Sequence, residues 1–442
     1  MVAAGLGIDV GSSAVRAAVL DSDGRLRGYA GRPLETSLPK PGRAEHDPRA
    51  WLAGALETGR EAVAEAGEVE IVAVGVGALG PAPVLVDERL QALTPAPLFA
   101  LDRRAEKQRA RLAVADDHAL PKLLWWQENE PGLAARAAWA LDATGYLVAA
   151  LTGEPVMDSI TRVAYEHPAA PSPVSLPSPV DPLAIAGRLR AEGARRLGVS
   201  SGTPVAAGTF DTYVDIAGTG VAPGDACLLL GSTLAVYAVV TDEQPFEGLE
   251  LTRYPGEGLL LGGTTAAAGS VLRWLATLLG GEESVLAAAA TELEPGSGGL
   301  LALPYLAGER APFSAPDARG ALVGLSMATG RAEIYRAVVD ALALSAVALV
   351  ERVPERKVWR ASGGGCKNPV WLQATCDALG APVEVSKHAG EAVGPAVLAL
   401  RSIGLEPAVG IAARVEPTAE RTQLYDELYS RYRTLDEQLR KR

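Results

Sequence analysis

Short apolar runs separated by glycines and polar residues recur along this chain, and such runs are typical of β-strands. Longer stretches with apolar residues three or four positions apart are typical of amphipathic helices. Strands are predicted at 5–20 (around a turn), 71–77, 83–86, 203–210, 226–240 and 258–263. Helices are predicted at 48–66, 103–114, 131–151, 182–197, 265–280, 331–353, 369–379, 391–403 and 419–442. Two clusters of strands among helices predict an α/β protein with two domains.

One stretch breaks this pattern. Residues 165–182 read YEHPAAPSPVSLPSPVDP, and their prolines exclude a regular helix or a central strand. We expect a linker or a surface loop there.

The two strand clusters contain similar sequences. GIDVGSSAVRAAVLD (7–21) and CLLLGSTLAVYAVVTD (227–242) both read as an apolar strand, a glycine, two hydroxyl residues and a second apolar strand. When the two are aligned on their glycines, Asp9 faces Leu229. The match predicts a duplicated fold in which only the first copy carries a carboxylate at this position.

Composition and charge narrow the function. The chain has 442 residues, 48% of them hydrophobic, and a net charge of −12, which argues against general binding to nucleic acids or anionic membranes. Three cysteines without a CxxC pair and four scattered histidines predict neither a disulfide framework nor a zinc site. With no basic leader and no run of about 18 apolar residues, we expect a soluble, cytoplasmic protein.

The two Gly-hydroxyl turns are candidate phosphate sites. A glycine lets successive backbone N–H groups point into one concavity, and serine or threonine hydroxyls add donors without adding charge. Neither turn is a P-loop or a dinucleotide fingerprint, because a strand rather than a helix follows each. An ordinary hairpin turn is the alternative for both.

Two acids stand at strand ends. Asp9 costs desolvation energy unless something pairs with it, and magnesium beside phosphates would do so. In VAAGTFDTYVDIAGTG (205–220) an apolar strand ends at Gly208, and Asp211 follows, placed to accept a proton from an attacking hydroxyl. Asp215 is the competing candidate, although a helix N-terminal charge is the interpretation we favour for it.

A glycine-rich element occupies VWRASGGGCKNPVWLQATCDALG (358–380). A short strand runs into three glycines, followed by Asn368 as a predicted N-cap and Pro369 as the first helical residue. The glycines would permit close approach of a flat ligand, and a loop with left-handed backbone angles is the alternative.

These motifs resemble those of the FGGY family of carbohydrate kinases, in particular its xylulokinase-like branch, over nearly the whole chain. The most specific stretch, LPYLAGERAPFSAPDARGALVGLS (303–326), resembles the family's second-domain signature. GIDVGSS and LLLGST resemble its two phosphate motifs, and 361–383 its adenosine motif. Residues 120–154 resemble the helix pair of its first domain.

The resemblance implies a two-domain, actin-like (RNase H-like) sugar kinase fold with ATP and sugar bound between the domains. Domain 1–221 would hold the sugar, the first phosphate motif and the catalytic acid, and domain 222–442 the second phosphate motif and the adenosine motif. Asp211 would be the general base and Asp9 would meet the Mg²⁺ of ATP, directly or through water. The residues implied at ATP are Gly11, Ser12, Ser13, Gly231, Ser232, Thr233, Gly324, Gly364, Gly365 and Asn368. Those implied at the sugar are Gly80, Pro81, Asp102, Asp211 and Thr212.

The chain departs from the family where the sugar would bind. Xylulokinases carry Gly-Gln-Met-His-Gly where this chain has ALGPA (78–82), and the family's usual Asn or Gln beside the catalytic acid is Thr212. We therefore expect D-xylulose to be a mediocre substrate and another ketose or a polyol to be better, although Tyr213 could supply a donor. For Asp102 a surface helix cap is the alternative to a sugar contact.

Two other functions compete with a sugar or polyol kinase that uses ATP and Mg²⁺. A degenerate kinase could sense sugar or nucleotide. A non-kinase ATPase of the same superfamily, such as a chaperone or a dehydratase activator, would lack the GERAPF stretch or need cluster-binding cysteines. No nucleic-acid or membrane partner is expected, and a homodimer is compatible with the sequence.

Overall fold

The computed structural model describes residues 1–99, 101–114, 118–242, 244, 246–354, 356–389 and 392–440. The strands before residue 219 are β1 Val2–Val10, β2 Ala14–Asp21, β3 Leu26–Pro33, β4 Glu45–His46, β5 Val69–Ala78, β6 Val84–Val86, β7 Ala96–Pro97, β8 Trp139–Leu141, β9 Met157–Asp158, β10 Pro179–Val180, β11 Ile185–Arg188, β12 Pro204–Ala206 and β13 Thr209–Phe210. The later strands are β14 Ala226–Leu230, β15 Leu234–Val240, β16 Glu250–Arg253, β17 Leu259–Thr264, β18 Leu301–Leu303, β19 Ala321–Val323, β20 Trp359–Ser362, β21 Val383–Ser386 and β22 Ile411–Val415.

The α-helices in these ranges are α1 Pro48–Ala66, α2 Glu106–Leu112, α3 Leu120–Asn129, α4 Pro131–Ala134, α5 Ala143–Thr152, α6 Ser159–Arg162, α7 Ala191–Leu197, α8 Asp211–Ala217, α9 Gly269–Leu278, α10 Glu283–Thr291, α11 Arg331–Val350, α12 Pro369–Leu379, α13 Gly394–Arg401 and α14 Ala419–Arg440. Short 3₁₀ turns cover Val163–Tyr165, Ser297–Gly299 and Gly364–Lys367. Within the described ranges, none of these helices is both long enough and apolar enough to cross a membrane.

The chain forms two compact units, Met1–Gly218 with Glu391–Ala408, and Thr219–Gly390 with Val409–Arg442. The first unit therefore also includes a segment from late in the chain, and this segment contains α13. The sequence predicts one boundary, between residues 221 and 222, whereas the compact units also exchange the segment 391–408. The boundary between the two family domains remains a prediction.

The sheet of the first unit has the order β11-β12-β5-β1-β2-β3, and β13 also pairs with β5. Side chains alternate across β1, so that Leu6 lies on the side of α1 while Gly5 and Gly7 lie against α13. A Cβ atom on Gly7 would be 2.3 Å from the backbone nitrogen of Ala396, so only glycine permits this close approach of α13.

The second unit repeats the topology of the first. Its sheet has the order β16-β17-β15-β14-β20-β21-β22, with an antiparallel hairpin β14-β15 beside a parallel neighbour β20. The first unit has the antiparallel hairpin β1-β2 beside the parallel neighbour β5. The duplication predicted from the two matching hairpins is confirmed by this common order of strands.

Two predicted helices are partly wrong. Residues 131–151 contain α4, then β8, then α5, because β8 pairs with β6 and this tertiary pairing overrides the helix propensity of an alanine-rich stretch. Within 182–197, residues Ile185–Arg188 form β11 on the edge of the sheet, and only the second half is helical.

The proline-rich stretch is largely irregular, as predicted, but it is not a free linker. Tyr165 is fully buried and Val174 nearly so, and both belong to a small apolar cluster with Leu85, Trp126 and Met157. The segment therefore forms part of the packed first unit.

Candidate active site

The first turn connects β1 to β2. The amide of Gly11 donates to the carbonyl of Ala14 at 2.9 Å, which closes the hairpin, and Ser12 and Ser13 are exposed at its tip. The strand-turn-strand arrangement predicted from the sequence is therefore confirmed, with both hydroxyls free to meet a ligand from solvent.

Asp9 has a partner that the sequence interpretation missed. Its carboxylate is 5% exposed, and Arg16 Nη1 donates to its Oδ2 at 3.0 Å. Asp9 and Arg16 are directly paired across the hairpin, so the register of a three-residue turn was the signal that could have revealed the ion pair. Arg16 thus offsets part of the cost of burying Asp9, whether or not a metal binds.

Three carboxylates and this one guanidinium share the same environment. Burial and then the charge of Asp211 raise the pKa of Asp9 to about 7, although Arg16 acts to lower it. Burial also raises the pKa of Asp211, against the N–H and hydroxyl of Thr212. The pKa of Asp215 lies well above its usual range, chiefly because the group is buried and then because of the negative charges of Asp9 and Asp211. Asp215 therefore belongs to this acidic cluster and is more than the helix-terminal charge that we favoured.

A cation would relieve the repulsion within this cluster. Among the described residues, no group of three or more His, Cys, Asp or Glu side chains is arranged to hold a metal ion. The acids therefore do not form a closed metal cage. They fit instead the mode in which Mg²⁺ keeps its waters and binds through one or two carboxylates and the phosphates of its nucleotide.

The segments predicted to bind sugar lie beside Asp211. Thr212 donates to Asp211 Oδ1 from its amide at 2.7 Å and from its hydroxyl at 3.3 Å. A Cβ atom on Gly80 would lie 2.1 Å from the ring of Phe210, so the loop that contains Gly80 and Pro81 packs on the residue before the predicted base.

Asp102 is engaged by other residues of the protein. Its side chain has no exposed surface, it forms an ion pair with Arg104 at 2.7 Å, and it accepts the amide of Ala44 at 2.9 Å. Arg104 also pairs with Glu45. The alternative of a surface helix cap is wrong, and the predicted sugar contact remains a prediction that would require this ion pair to open.

The second turn, Gly231–Thr233, is held by the start of α9. The amide of Gly269 donates to the carbonyl of Gly231 at 3.0 Å, and the amide of Ala268 donates to that of Ser232 at 2.8 Å. Arg273, one turn into α9, donates from Nη2 to Ser232 Oγ at 3.1 Å. The turn thus combines exposed donors with an adjacent cation.

The GERAPF stretch (308–313) contacts the segment that leads from β17 into α9. Glu309 Oε1 accepts the amides of Ala266 and Arg310, both at 2.8 Å, and Arg310 Nη2 donates to the carbonyl of Thr265 at 2.9 Å. Burial raises the pKa of Glu309 to about 7, and these backbone N–H groups oppose the shift. Glu309 and Arg310 together fix the segment that wraps the second turn, a role the sequence interpretation did not assign.

The glycine-rich element lies next to the second turn, because β20 and β14 are adjacent and parallel. Gly363 has φ +95°, and a Cβ atom there would be 2.6 Å from the carbonyl oxygen of Leu230. Gly364 has open space around its Cβ position, and Gly365 lies against the ring of Trp371. The left-handed loop proposed as an alternative is thus present at Gly363, beside a surface open to a ligand.

Asn368 caps α12 as predicted. Its Oδ1 accepts the amide of Trp371 at 3.3 Å, and its Nδ2 donates to the hydroxyl of Tyr335 at 3.0 Å. Gly324, the other glycine predicted at the nucleotide, has φ +93° and follows β19 on an exposed edge.

The match to known families covers most of this architecture. Residues 4–165 match the N-terminal domain, and residues 228–403 the C-terminal domain, of the FGGY family of carbohydrate kinases. The chain belongs to this family, and it is a carbohydrate kinase with the two-domain fold of the FGGY sugar kinases. The non-kinase ATPase considered above is thereby excluded, and ATP is the substrate that the family implies.

Individual relatives point in the same direction. The xylulose kinase of Staphylococcus epidermidis is 27% identical over 98% of this chain and 96% of the relative. A glycerol kinase of Aromatoleum aromaticum is 30% identical over 90% of each. The crystal structure of xylulose kinase from Rhodospirillum rubrum has a TM-score of 0.85 and 27% identity, covering 98% of both chains.

Proposed function

We propose that this protein transfers the γ-phosphoryl group of Mg-ATP to a hydroxyl of a ketopentose such as xylulose, or of a related polyol. Asp211 takes the proton from the attacking hydroxyl, and Asp9 meets the Mg²⁺ directly or through water. The turns Gly11–Ser13 and Gly231–Thr233 bind the phosphates, and Gly324, Gly364, Gly365 and Asn368 meet the rest of the nucleotide. Phosphoryl transfer is catalysed mainly by positioning and charge stabilisation, which such an arrangement supplies.

The observation that supports this proposal best is the acidic cluster of the first unit. Asp211 lies at the tip of β13, its charge raises the pKa of Asp9, and Arg16 lowers the pKa of both acids. A carboxylate with a raised pKa is a suitable proton acceptor, because its basicity is closer to neutrality. Bound Mg²⁺ would supply the countercharge for the transferring phosphoryl group.

The test is a coupled ADP-release assay on Asp211→Asn with a panel of ketoses, aldoses and polyols. We expect a loss of about 10²–10⁴ in kcat, the usual effect of a general base, with ATP binding retained. Asp181→Asn is the control and should keep full activity, because this exposed carboxylate accepts the amide of Leu183, two residues away.

Two outcomes would contradict parts of this proposal. Near-normal turnover of the Asp211 variant would reject it as the base and make Asp215 the next candidate. If the wild-type protein phosphorylates nothing in the panel but binds a sugar, the degenerate-sensor alternative is favoured. A clear preference for D-xylulose over other pentuloses and short polyols would show that backbone groups replace the Met-His pair, contrary to our expectation.

A further inference from the structure

We propose that the first turn of α5 is a clamp that fixes the separation of the two segments at the sugar site, residues 79–82 and 209–211, and that Asp142 is its positioning residue. This inference rests on the proposed function for the meaning of those segments. The clamp itself is a set of contacts within the first unit and can be measured without any substrate.

Both segments leave the sheet at neighbouring strands. β5 ends at Ala78, which pairs with Phe210 of β13, and the amide of Leu79 still donates to the carbonyl of Val10 in β1 at 2.7 Å. Residues 80–82 and Asp211 lie beyond these ladder contacts. Backbone past the end of a ladder is held only by other contacts, because it has no strand partner of its own. The pairing of Thr209 and Phe210 with β5 fixes where the two segments start, and the packing of Gly80 on Phe210 joins them beyond that point.

The start of α5 anchors each segment separately. Asp142 Oδ1 accepts the amide of Ala82 at 2.8 Å, and the hydroxyl of Thr144 donates to the carbonyl of Thr209 at 3.0 Å. A Cβ atom on Gly208 would be 2.9 Å from Thr144 Cγ2, so Thr144 also packs on the approach to Asp211. Two residues in one helical turn thus contact segments about sixty positions away on either side of the chain.

Burial of the Asp142 carboxyl group costs desolvation free energy. It is 1% exposed, and among the described residues no cation forms an ion pair with it. Its Oδ1 accepts the hydroxyl of Tyr165 at 2.7 Å as well as the amide of Ala82, while its Oδ2 finds no hydrogen-bond partner in the part of the chain that the structure describes. Burial raises the pKa of Asp142 to about 7, and the Tyr165 hydroxyl opposes the shift. Through Oδ1, this buried acid ties the loop at Ala82 and the hydroxyl of Tyr165 to the start of α5.

The role is positioning rather than contact with the sugar, because the side chain is enclosed. Changing Asp142→Ala should raise the KM for the sugar about tenfold, the effect of losing one such hydrogen bond to the loop, while the KM for ATP stays within about twofold. Asp142→Asn keeps an oxygen that can accept from both Ala82 and Tyr165, so it should restore most of the sugar KM.

A control on the same helix separates positioning from stability. Thr152 lies in the last turn of α5, donates to the carbonyl of Val148 at 2.8 Å and accepts the amide of Glu154 at 3.1 Å. Thr152→Val should lower Tm by removing buried hydrogen bonds, yet it should leave the sugar KM unchanged because it contacts neither segment.

Amide hydrogen exchange supplies a readout that needs no activity. In Asp142→Ala, the amides of 79–83 should exchange at least tenfold faster, while Thr152→Val should leave them unchanged. Thr144→Val tests the second arm, with faster exchange expected at 208–212, and it serves if the Asp142→Ala variant does not fold.

The outcomes are distinct from those of the proposed function. Unchanged exchange in both segments, or a Tm loss without a change in sugar KM, would overturn the clamp. An equal rise in the KM of ATP and sugar would also overturn it, because the effect would then be global. Faster exchange in a protein that phosphorylates no sugar would support the clamp while rejecting the proposed function.

Discussion

At the scale of single residues, the ion pair between Arg16 and Asp9 changes how the acidic cluster must be understood. A lone buried carboxylate suggested a metal as its partner, but the structure supplies a guanidinium 3.0 Å away. Arg16 lowers the pKa of Asp9, Asp211 and Asp215 alike, so one cation on β2 adjusts three carboxyl groups. Two residue-scale predictions follow from the competition between this cation and Mg²⁺.

The first concerns Asp9→Ala. If Asp9 meets the Mg²⁺ of ATP, its loss should raise the magnesium concentration required for half-maximal rate by about tenfold or more, because a carboxylate is among the few ligands that the protein offers this ion. A magnesium titration of the initial rate at saturating ATP measures this. A titration curve that matches the wild type would show that Asp9 is only the structural partner of Arg16.

The second concerns Arg16→Gln and pH. The acids must be deprotonated to bind Mg²⁺ and to accept a proton, so activity falls as pH drops through their raised pKa values. Removing the positive charge raises those pKa values further, and the acid limb of kcat/KM should move to higher pH. Arg27→Gln, whose side chain pairs instead with Asp21 at 3.6 Å, should leave the limb in place. A limb that stays fixed or moves to lower pH in Arg16→Gln would contradict the assignment.

At the scale of elements, the conformation of the second turn is fixed by a brace, which we define as Glu309 and Arg310 together with the backbone of 265–269 that they hold. Gly231–Thr233 is held by the start of α9, and that start is held by Glu309 and Arg310. The GERAPF stretch would therefore act on the proposed phosphate-binding turn through its contacts with the backbone of residues 265 and 266.

This brace predicts the effect of Glu309→Ala. Two partly buried amides would lose their acceptor, at about 1–3 kcal/mol each, and the KM for ATP should rise about tenfold while the sugar KM is unchanged. Glu309→Gln should behave nearly as wild type, because its amide oxygen can accept the same bonds. Glu292→Ala at an exposed helix end is the control. An ATP KM that does not change in Glu309→Ala would exclude the brace.

The sequence predicted elements well where the evidence is local. The paired hairpins, the Asn368 cap and most helices follow from periodicity and turn chemistry, which act within a few residues. The errors at 131–151 and 182–197 both hide a strand whose partner lies far away in the chain. The sequence analysis did not identify Glu309, Asp142 or Tyr165 for the same reason. Each of them has a hydrogen-bond partner that lies more than twenty residues away in the chain.

At the scale of the whole molecule, the chain leaves the first unit at residue 218 and returns to it with α13. The first unit is completed by α13, which crosses β1 and β5 at glycines, and a Cβ atom on Gly75 would be 2.0 Å from the carbonyl of Pro395. This close approach excludes any side chain at the crossing point, so Gly5 and Gly7 of GLGIDV are required for the packing of α13 on the sheet.

We therefore expect Gly7→Ala to destabilise the protein by about 1–3 kcal/mol or more, because its methyl group would meet backbone that cannot rotate away. Thermal and urea unfolding measure this, with amide exchange at 394–401 rising in parallel. Gly31→Ala is the matched strand control, since its Cβ would find its nearest neighbours at 3.7 Å. Equal stability of the two variants would mean that α13 does not pack as described.

The late arrival of α13 has a consequence for synthesis. A chain emerging from the ribosome makes β1 and β5 early but must wait through residues 219–390 before the helix that covers them is translated. During that interval a glycine-lined strip of sheet stays open to water and to other nascent chains. We expect the first unit to finish folding only after α13 has been translated, and the uncovered face of its sheet to be accessible to chaperones until then.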